Sequence, residues 1–367
     1  MSADGPWLLR VVGSVLFALI GLGTASAATP AALSPEPAVR PFAWGINGHP
    51  FTQVGYLDVS IPRQLDLDAE LGAGWYRFDC SAEEFRRNTV RFDVLLAEAE
   101  RRHLHLLPVL FSSPGGRSES ATPARIREAA RTFARDIVGR YKGRITHWEL
   151  SNELDTAAMI RKGETTRSGK LWVWGDADGS SPDDFHEGRY QKAKAEIAGL
   201  QEGVKAADPG AITIVDTAGW LHYGFIERLV REDHVPFDVL AWHWYSEMGD
   251  ITKVRGKLDL LNLLGGYGKP LWITEINRRD GSRGGNEQEQ ASYLGRTAAQ
   301  MAARPDVGAF FVYELLDEPY FGATNPESHY GLVELAQDAN KTWRVARKKA
   351  AFDVYRAAIR AAGTSAR

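Results

Sequence analysis

At 367 residues the chain has the length of one large domain or two ordinary ones, enough for a sizeable core. Its 44 Lys and Arg against 47 Asp and Glu leave a formal charge of -3, which offers no grip on a phosphate backbone and argues against a nucleic-acid partner. The single cysteine, Cys80, excludes an intramolecular disulfide and a Cys-rich zinc site. Eleven Trp and twelve Tyr exceed core needs, and rings with an apolar face and a polar edge suit flat, partly apolar ligands such as sugars.

The chain opens with Arg10, a 12-residue apolar run over residues 11–22, and Ala25-Ser26-Ala27. That is the plan of a secretory signal peptide over residues 1–27, cut after Ala27. The run falls short of the roughly 20 residues that cross a bilayer, so a secreted or periplasmic product without stable membrane insertion is expected, with an uncleaved anchor as the alternative. Residues 28–41 are rich in Ala and Pro and read as an extended linker, and the folded domain is expected over residues 42–367.

Eight short β-leaning runs follow: residues 42–47, 74–79, 104–111, 145–152, 211–217, 238–244, 270–276 and 307–315. Amphipathic stretches separate them, among them 82–102, 122–141, 190–207 and 287–304, with a last helix near 345–362 that would carry a basic face of Arg344, Arg347, Lys348 and Lys349. Eight strand-then-helix repeats predict a single (β/α)8 TIM barrel. A doubly wound sheet would show a G-x-G-x-x-G turn after the first strand, where this chain has Gly45-Ile46-Asn47-Gly48-His49. The longest interruption, residues 154–188, is an extended loop after strand 4 and carries Trp172 and Trp174; it reads either as a sugar-stacking rim or as a surface excursion pinned by its Trp residues. Its acidic run 176–184 lacks the spacing of a calcium loop.

Catalytic groups of such barrels collect at the carboxyl ends of the strands, which allows each polar residue to be sorted by position. Glu153 closes the fourth strand and Glu275 the seventh. Two carboxylates across one barrel mouth are the equipment for glycoside hydrolysis.

On these residues the chain resembles the clan A retaining glycoside hydrolases: Asn152-Glu153 after strand four, Trp272-Ile273-Thr274-Glu275 ending strand seven, Arg77 ending strand two, and His243-Trp244-Tyr245 matching H-x-Y after strand six. Within the clan it is most similar to glycoside hydrolase family 39, in particular bacterial members that cut secreted polysaccharides. Tyr313 stands in strand eight where many clan members carry Trp. The resemblance implies Glu275 as nucleophile and Glu153 as acid/base. Arg77 and Tyr245 would favour the Glu275 carboxylate, Asn152 would donate to a sugar 2-hydroxyl, and His243 would brace the acid/base or a substrate hydroxyl. A retaining mechanism also predicts carboxyl groups about 5 to 5.5 Å apart.

Further substrate contacts are expected from Trp44 and Asn47, with His49, at the end of strand one, from Trp220 and His222 after strand five, and from Tyr313. Glu314, Asp317 and Glu318 are either substrate contacts or surface acids. His103 and His105 begin the third strand, at the face devoted to stability, which weighs against a metal role. Cys80 reads as a packed thiol, and Ser112-Ser113 lacks the G-x-S-x-G elbow of an esterase. The expectation is a secreted retaining β-glycoside hydrolase, endo-acting on a bacterial exopolysaccharide, with a polysaccharide or oligosaccharide as its partner, no metal and no cofactor. A non-catalytic carbohydrate-binding barrel and a metal-dependent barrel hydrolase are the alternatives.

Overall fold

A computed structural model describes residues 42–112 and 120–365. The signal-peptide and linker readings over residues 1–41 lie outside the described residues.

Eight parallel strands close into a barrel in sequential order: β1 (Ala43–Gly48), β2 (Gly74–Ser81), β3 (His105–Phe111), β4 (His147–Leu150), β5 (Ile212–Val215), β6 (Val239–Tyr245), β7 (Leu271–Asn277) and β8 (Val307–Val312). β1 closes the ring by pairing with β8, Trp44 opposite Phe310. The (β/α)8 expectation is met strand by strand. Helices α1 (Val54–Asp58), α2 (Ile61–Leu71), α3 (Ala82–Arg101), α4 (Pro123–Tyr141), α5 (Leu154–Ala158), α6 (Glu187–Ala207), α7 (Tyr223–Glu227), α8 (Leu260–Gly265), α9 (Glu287–Ala302) and α10 (Ala350–Ser365) fill the connections. Their starts are written locally. Ser81 and Glu84 form a reciprocal capping box on α3, and Thr122 caps α4 just ahead of Pro123. Among the described residues, no helix is long and apolar enough to cross a membrane.

Period-two alternation sorts the strand residues into two cores. Outward side chains such as Trp44, Ile46, Trp148 and Trp242 join the large core beneath the helices. Inward ones, including Leu107, Ile214, Val239, Trp272 and Phe311, make a smaller plug inside the barrel, with Trp75 and Ala43 packed against it. Gly45 is needed here, because a Cβ at that position would meet the Phe311 ring at 2.1 Å. At the N-terminal end His105 stacks on Trp75, and His147 on Trp272. These imidazoles therefore belong to the stability face, as the strand positions predict.

Residues 154–188 are an ordered excursion. A bridge joins Thr165 to Leu171, and Arg167 pairs with both Asp183 and Glu232. Asp178 pairs with Arg255 and Asp184 caps the turn over Pro182–Asp184, so these acids already have partners.

The basic helix face is not found. Residues of that stretch form an antiparallel hairpin, β9 (Val333–Gln337) with β10 (Trp343–Lys348), and the helix begins only at Ala350. Trp343 and Val345 alternate onto the core while Arg347 pairs with Glu287 and Glu334. Lys349 is buried against Asp317, Nζ to Oδ1 2.6 Å.

Candidate active site

Consecutive strands twist around the barrel so that residues distant in sequence share its carboxyl-end mouth. Arg77, from β2, is the hub. Its guanidinium donates to both oxygens of Glu149 in β4 (Nε to Oε2 2.7 Å, Nη2 to Oε1 3.1 Å), to Asn47 Oδ1 (2.7 Å), to Asn152 Oδ1 (2.8 Å) and to Glu275 Oε1 (2.7 Å). With its donors occupied by protein, Arg77 organises the site and has no fork left to grip substrate.

Glu275 in β7 is 7% exposed and is held at both oxygens, by Arg77 at Oε1 and by the Tyr245 hydroxyl at Oε2 (3.0 Å). Burial alone would push its carboxyl up. The positive charges of His243 and Arg77, with the two hydrogen bonds, outweigh that and hold it below the ordinary glutamate value. The group is an oriented carboxylate.

Glu153 is built differently. The chain leaves β4 through two left-handed residues, Ser151 (φ 70°) and Glu153 (φ 48°), and the latter caps α5. Its backbone N–H donates to Asp216 Oδ1 at 2.8 Å, and its Oε1 lies 2.7 Å from His243 Nδ1. The side chain remains 31% exposed, open to an incoming ligand. One oxygen of Glu153, one of Glu275 and one ring nitrogen of His243 all lie within 4.8 Å of one another.

Behind this pair lies a second, buried layer. His243 Nε2 is 3.2 Å from Thr274 Oγ1, which also reaches Glu149 Oε1 (3.2 Å). Burial lowers the His243 pKa, but the Glu275 and Glu153 carboxylates overcome this and raise it above 6.5. Burial, followed by the Glu149 charge and hydrogen bond, pushes Asp216 well above the ordinary aspartate range.

The mouth is a cavity of about 330 Å³. Asn47, Arg77, Asn152, Glu153, Tyr245, Glu275 and Tyr313 all line it, as the strand-end positions predict. Asn152 spends its oxygen on Arg77, which leaves its amide N–H groups as donors. Two expectations are corrected. Trp44 is a core residue, edge-on to Phe310 and Tyr355, because even positions of β1 point away from the barrel interior. His243 is fully buried, so it braces Glu153 and does not reach a substrate hydroxyl. Trp172, Trp174 and Trp220 stand outside the cavity lining. The Trp172 indole donates to Gly175 O (2.8 Å) within its own loop, while Trp174 and Trp220 are exposed. His222 is buried against Asp155. Cys80 is fully buried, as expected of a packed thiol.

Sequence reasoning missed Glu149, Asp216 and Thr274, and the lining residues Asp79, Glu247, Glu327 and Tyr330. Glu149 had a signal: a charged residue inside β4, two positions before Ser151 and at the parity opposite to the outward Trp148.

A family model described as a glycosyl hydrolase catalytic core matches residues 192–329, a stretch that includes His243, Tyr245 and Glu275. Endo-1,4-beta-xylanase C of Paenibacillus barcinonensis is 25% identical over 193 residues, 49% of this chain and 16% of that much longer protein. Among solved structures, a beta-glucosidase from Thermotoga maritima superposes with a TM-score of 0.66 at 11% identity, covering 89% of this chain and 99% of that one. The beta-glycosidase BGL167 gives 0.62 at 15% identity, covering 90% and 98%. At these identities the structural likeness speaks for the fold alone. Residues 192–329 thus match a glycosyl hydrolase catalytic core, and the chain as a whole folds as a (β/α)8 barrel.

Proposed function

We propose that the protein is a secreted retaining β-glycoside hydrolase that cuts within a bacterial exopolysaccharide. The observation that carries the mechanism is the approach of one Glu153 oxygen to within 4.8 Å of one on Glu275. Inverting enzymes hold their carboxyls roughly 6.5 to 9.5 Å apart to admit a water, so such a close approach of two oxygens favours the retaining arrangement. Endo action is supported by the xylanase relative, whose name is that of an endo-acting enzyme, and by the exposed indoles of Trp174 and Trp220, which are available for stacking on sugars. Secretion rests on the leader-like residues 1–27, and the family 39 assignment on the motifs around Glu153, Glu275 and His243.

In the first step a Glu275 carboxylate oxygen attacks the anomeric carbon as the glycosidic C–O bond breaks. The departing oxygen takes the proton carried by Glu153, whose Oε1 lies 2.7 Å from His243 Nδ1. Charge then leaves Glu275 for the length of the covalent intermediate, so Glu153, now without a negative neighbour, stays a carboxylate after giving up its proton and can take one from an incoming water. The water oxygen bonds to the anomeric carbon, Glu275 departs as carboxylate, and the proton returns to Glu153. Asn152, with free amide donors, meets the ring hydroxyl beside the reacting carbon.

The test is digestion of a panel of purified exopolysaccharides with product-size analysis, alongside NMR of the first-formed anomer. Oligosaccharides of retained configuration from wild type, and none from Glu275→Gln, are expected. Monosaccharide as the sole product removes the endo reading, and inverted product removes the double displacement.

A further inference from the structure

One cluster at the barrel mouth takes no part in the hydrolytic chemistry. His49, just past the end of β1, faces Glu314 and Glu318 from the segment after β8, and one ligating atom from each lies within 4.8 Å of the others. Glu314 and Glu318 are 0% and 1% exposed, and Oε1 of each has no hydrogen-bond partner among the described residues. Two desolvated carboxylates thus face one imidazole with acceptor atoms unused.

We propose that His49, Glu314, Glu318 and the Tyr313 hydroxyl hold a divalent transition-metal ion, zinc or manganese by donor chemistry. One imidazole with oxygen donors suits those ions better than calcium, which takes oxygen alone. The spacing agrees: donors about 2.1 Å from a tetrahedral ion lie about 3.4 Å from each other, and His49 Nε2 stands 3.5 Å from Glu314 Oε2. The Tyr313 hydroxyl is 3.2 Å from the same nitrogen and donates to Glu327, which leaves its oxygen lone pairs for the ion.

Two ligands also have the outer partners typical of metal sites. Asp79 Oδ2 lies within ion-pair distance of His49 Nδ1 (3.4 Å), while Nε2 is the nitrogen that faces Glu314, and the Tyr56 hydroxyl donates to Glu314 Oε2 at 2.7 Å. Such an ion ties the end of β1 to the segment after β8 and fixes the wall formed by His49, Tyr313 and Glu327. It plays a positioning role and is independent of the two-glutamate mechanism.

The test uses the full chain, stripped with chelator and titrated with zinc sulfate or manganese chloride by calorimetry and thermal melting. Wild type should bind one equivalent and melt several degrees higher with metal, and Glu318→Gln should weaken binding by at least tenfold. Absence of saturable binding, or equal binding by Glu318→Gln, overturns the site. X-ray absorption of zinc-loaded wild type needs no variant: a shell of one imidazole and oxygens supports the assignment, and two or more imidazoles place the ion elsewhere.

Discussion

Asp216 Oδ1 accepts the backbone N–H of Glu153 at 2.8 Å, and this bond pins the acid/base residue in a left-handed conformation that a side chain with a Cβ resists. The end of β5 thus sets the aim of a residue that follows β4.

Burial and Glu149 push Asp216 toward its neutral form, so an amide of the same shape should serve nearly as well. Asp216→Asn is expected to stay within a few-fold of wild-type kcat. Asp216→Ala loses the acceptor and should lower kcat by about 10- to 100-fold with KM little changed. Equal, large losses in both variants would mean that the negative charge matters and the geometry does not.

The two glutamates should separate by rescue. Glu275→Ala and Glu153→Ala should each lose roughly 10²- to 10⁴-fold or more in turnover. With an activated aryl glycoside, which needs no proton on departure, azide should restore Glu153→Ala and yield a β-glycosyl azide. In Glu275→Ala any azide product should have the opposite configuration. Exchange of these two outcomes would reverse the roles.

Tyr245→Phe should shift the acid limb of the pH profile. Glu275 is held below its ordinary value partly by the Tyr245 hydrogen bond, so in wild type the rate falls only as pH drops through that lowered value. Losing the donor raises the carboxyl, and the limb moves to higher pH in kcat/KM measured with a small substrate. An unmoved limb would assign it to another group.

His243 carries the opposite sign. Its folded-state value lies above 6.5, so its proton contributes stability that is fully present below 6.5 and is lost as pH rises through the folded value. Denaturant melts of wild type should therefore show a loss of stability as pH rises above 6.5 that is missing in His243→Asn.

The aromatic residues should divide by location. Trp44→Ala should cost about 3 to 5 kcal/mol of stability, as expected for a large core side chain. Trp174→Ala, at a residue 71% exposed, should leave the melting temperature near wild type while raising KM for long chains more than for short ones. A KM that is insensitive to Trp174 at every chain length removes it from substrate binding.

Much of this molecule was legible in one dimension. The alternation of β-leaning runs and amphipathic stretches is a local property, and it located all eight barrel strands to within a few residues. Glu153 and Glu275 were legible for the same reason: the carboxyl end of a strand can be read off its own segment, although Glu153 lies three residues past β4 and Glu275 two before the end of β7. Three features were not. Trp44 lies on the outer face, one position away from the inward parity of Gly45 and Asn47, and β1 is nearly apolar throughout, so no polar alternation marks its faces. The β9–β10 hairpin was hidden because Arg344, Arg347 and Lys348 suit a helix, and only packing of Trp343 and Val345 on the core selects a strand. Glu149 and Asp216 look like isolated acids until Arg77 is placed between them and Glu275.

By itself, then, the order of residues determined the barrel, the ends of its strands and the pair of acids at its mouth, since period, capping and strand length act between near neighbours. Tertiary structure alone decided which charges meet. The Arg77 hub, the His243 brace and the His49–Glu314–Glu318 cluster each join strands far apart in the chain, and burial then turns those contacts into shifted proton affinities. Burial and close approach are properties of the closed ring, and no segment carries them alone.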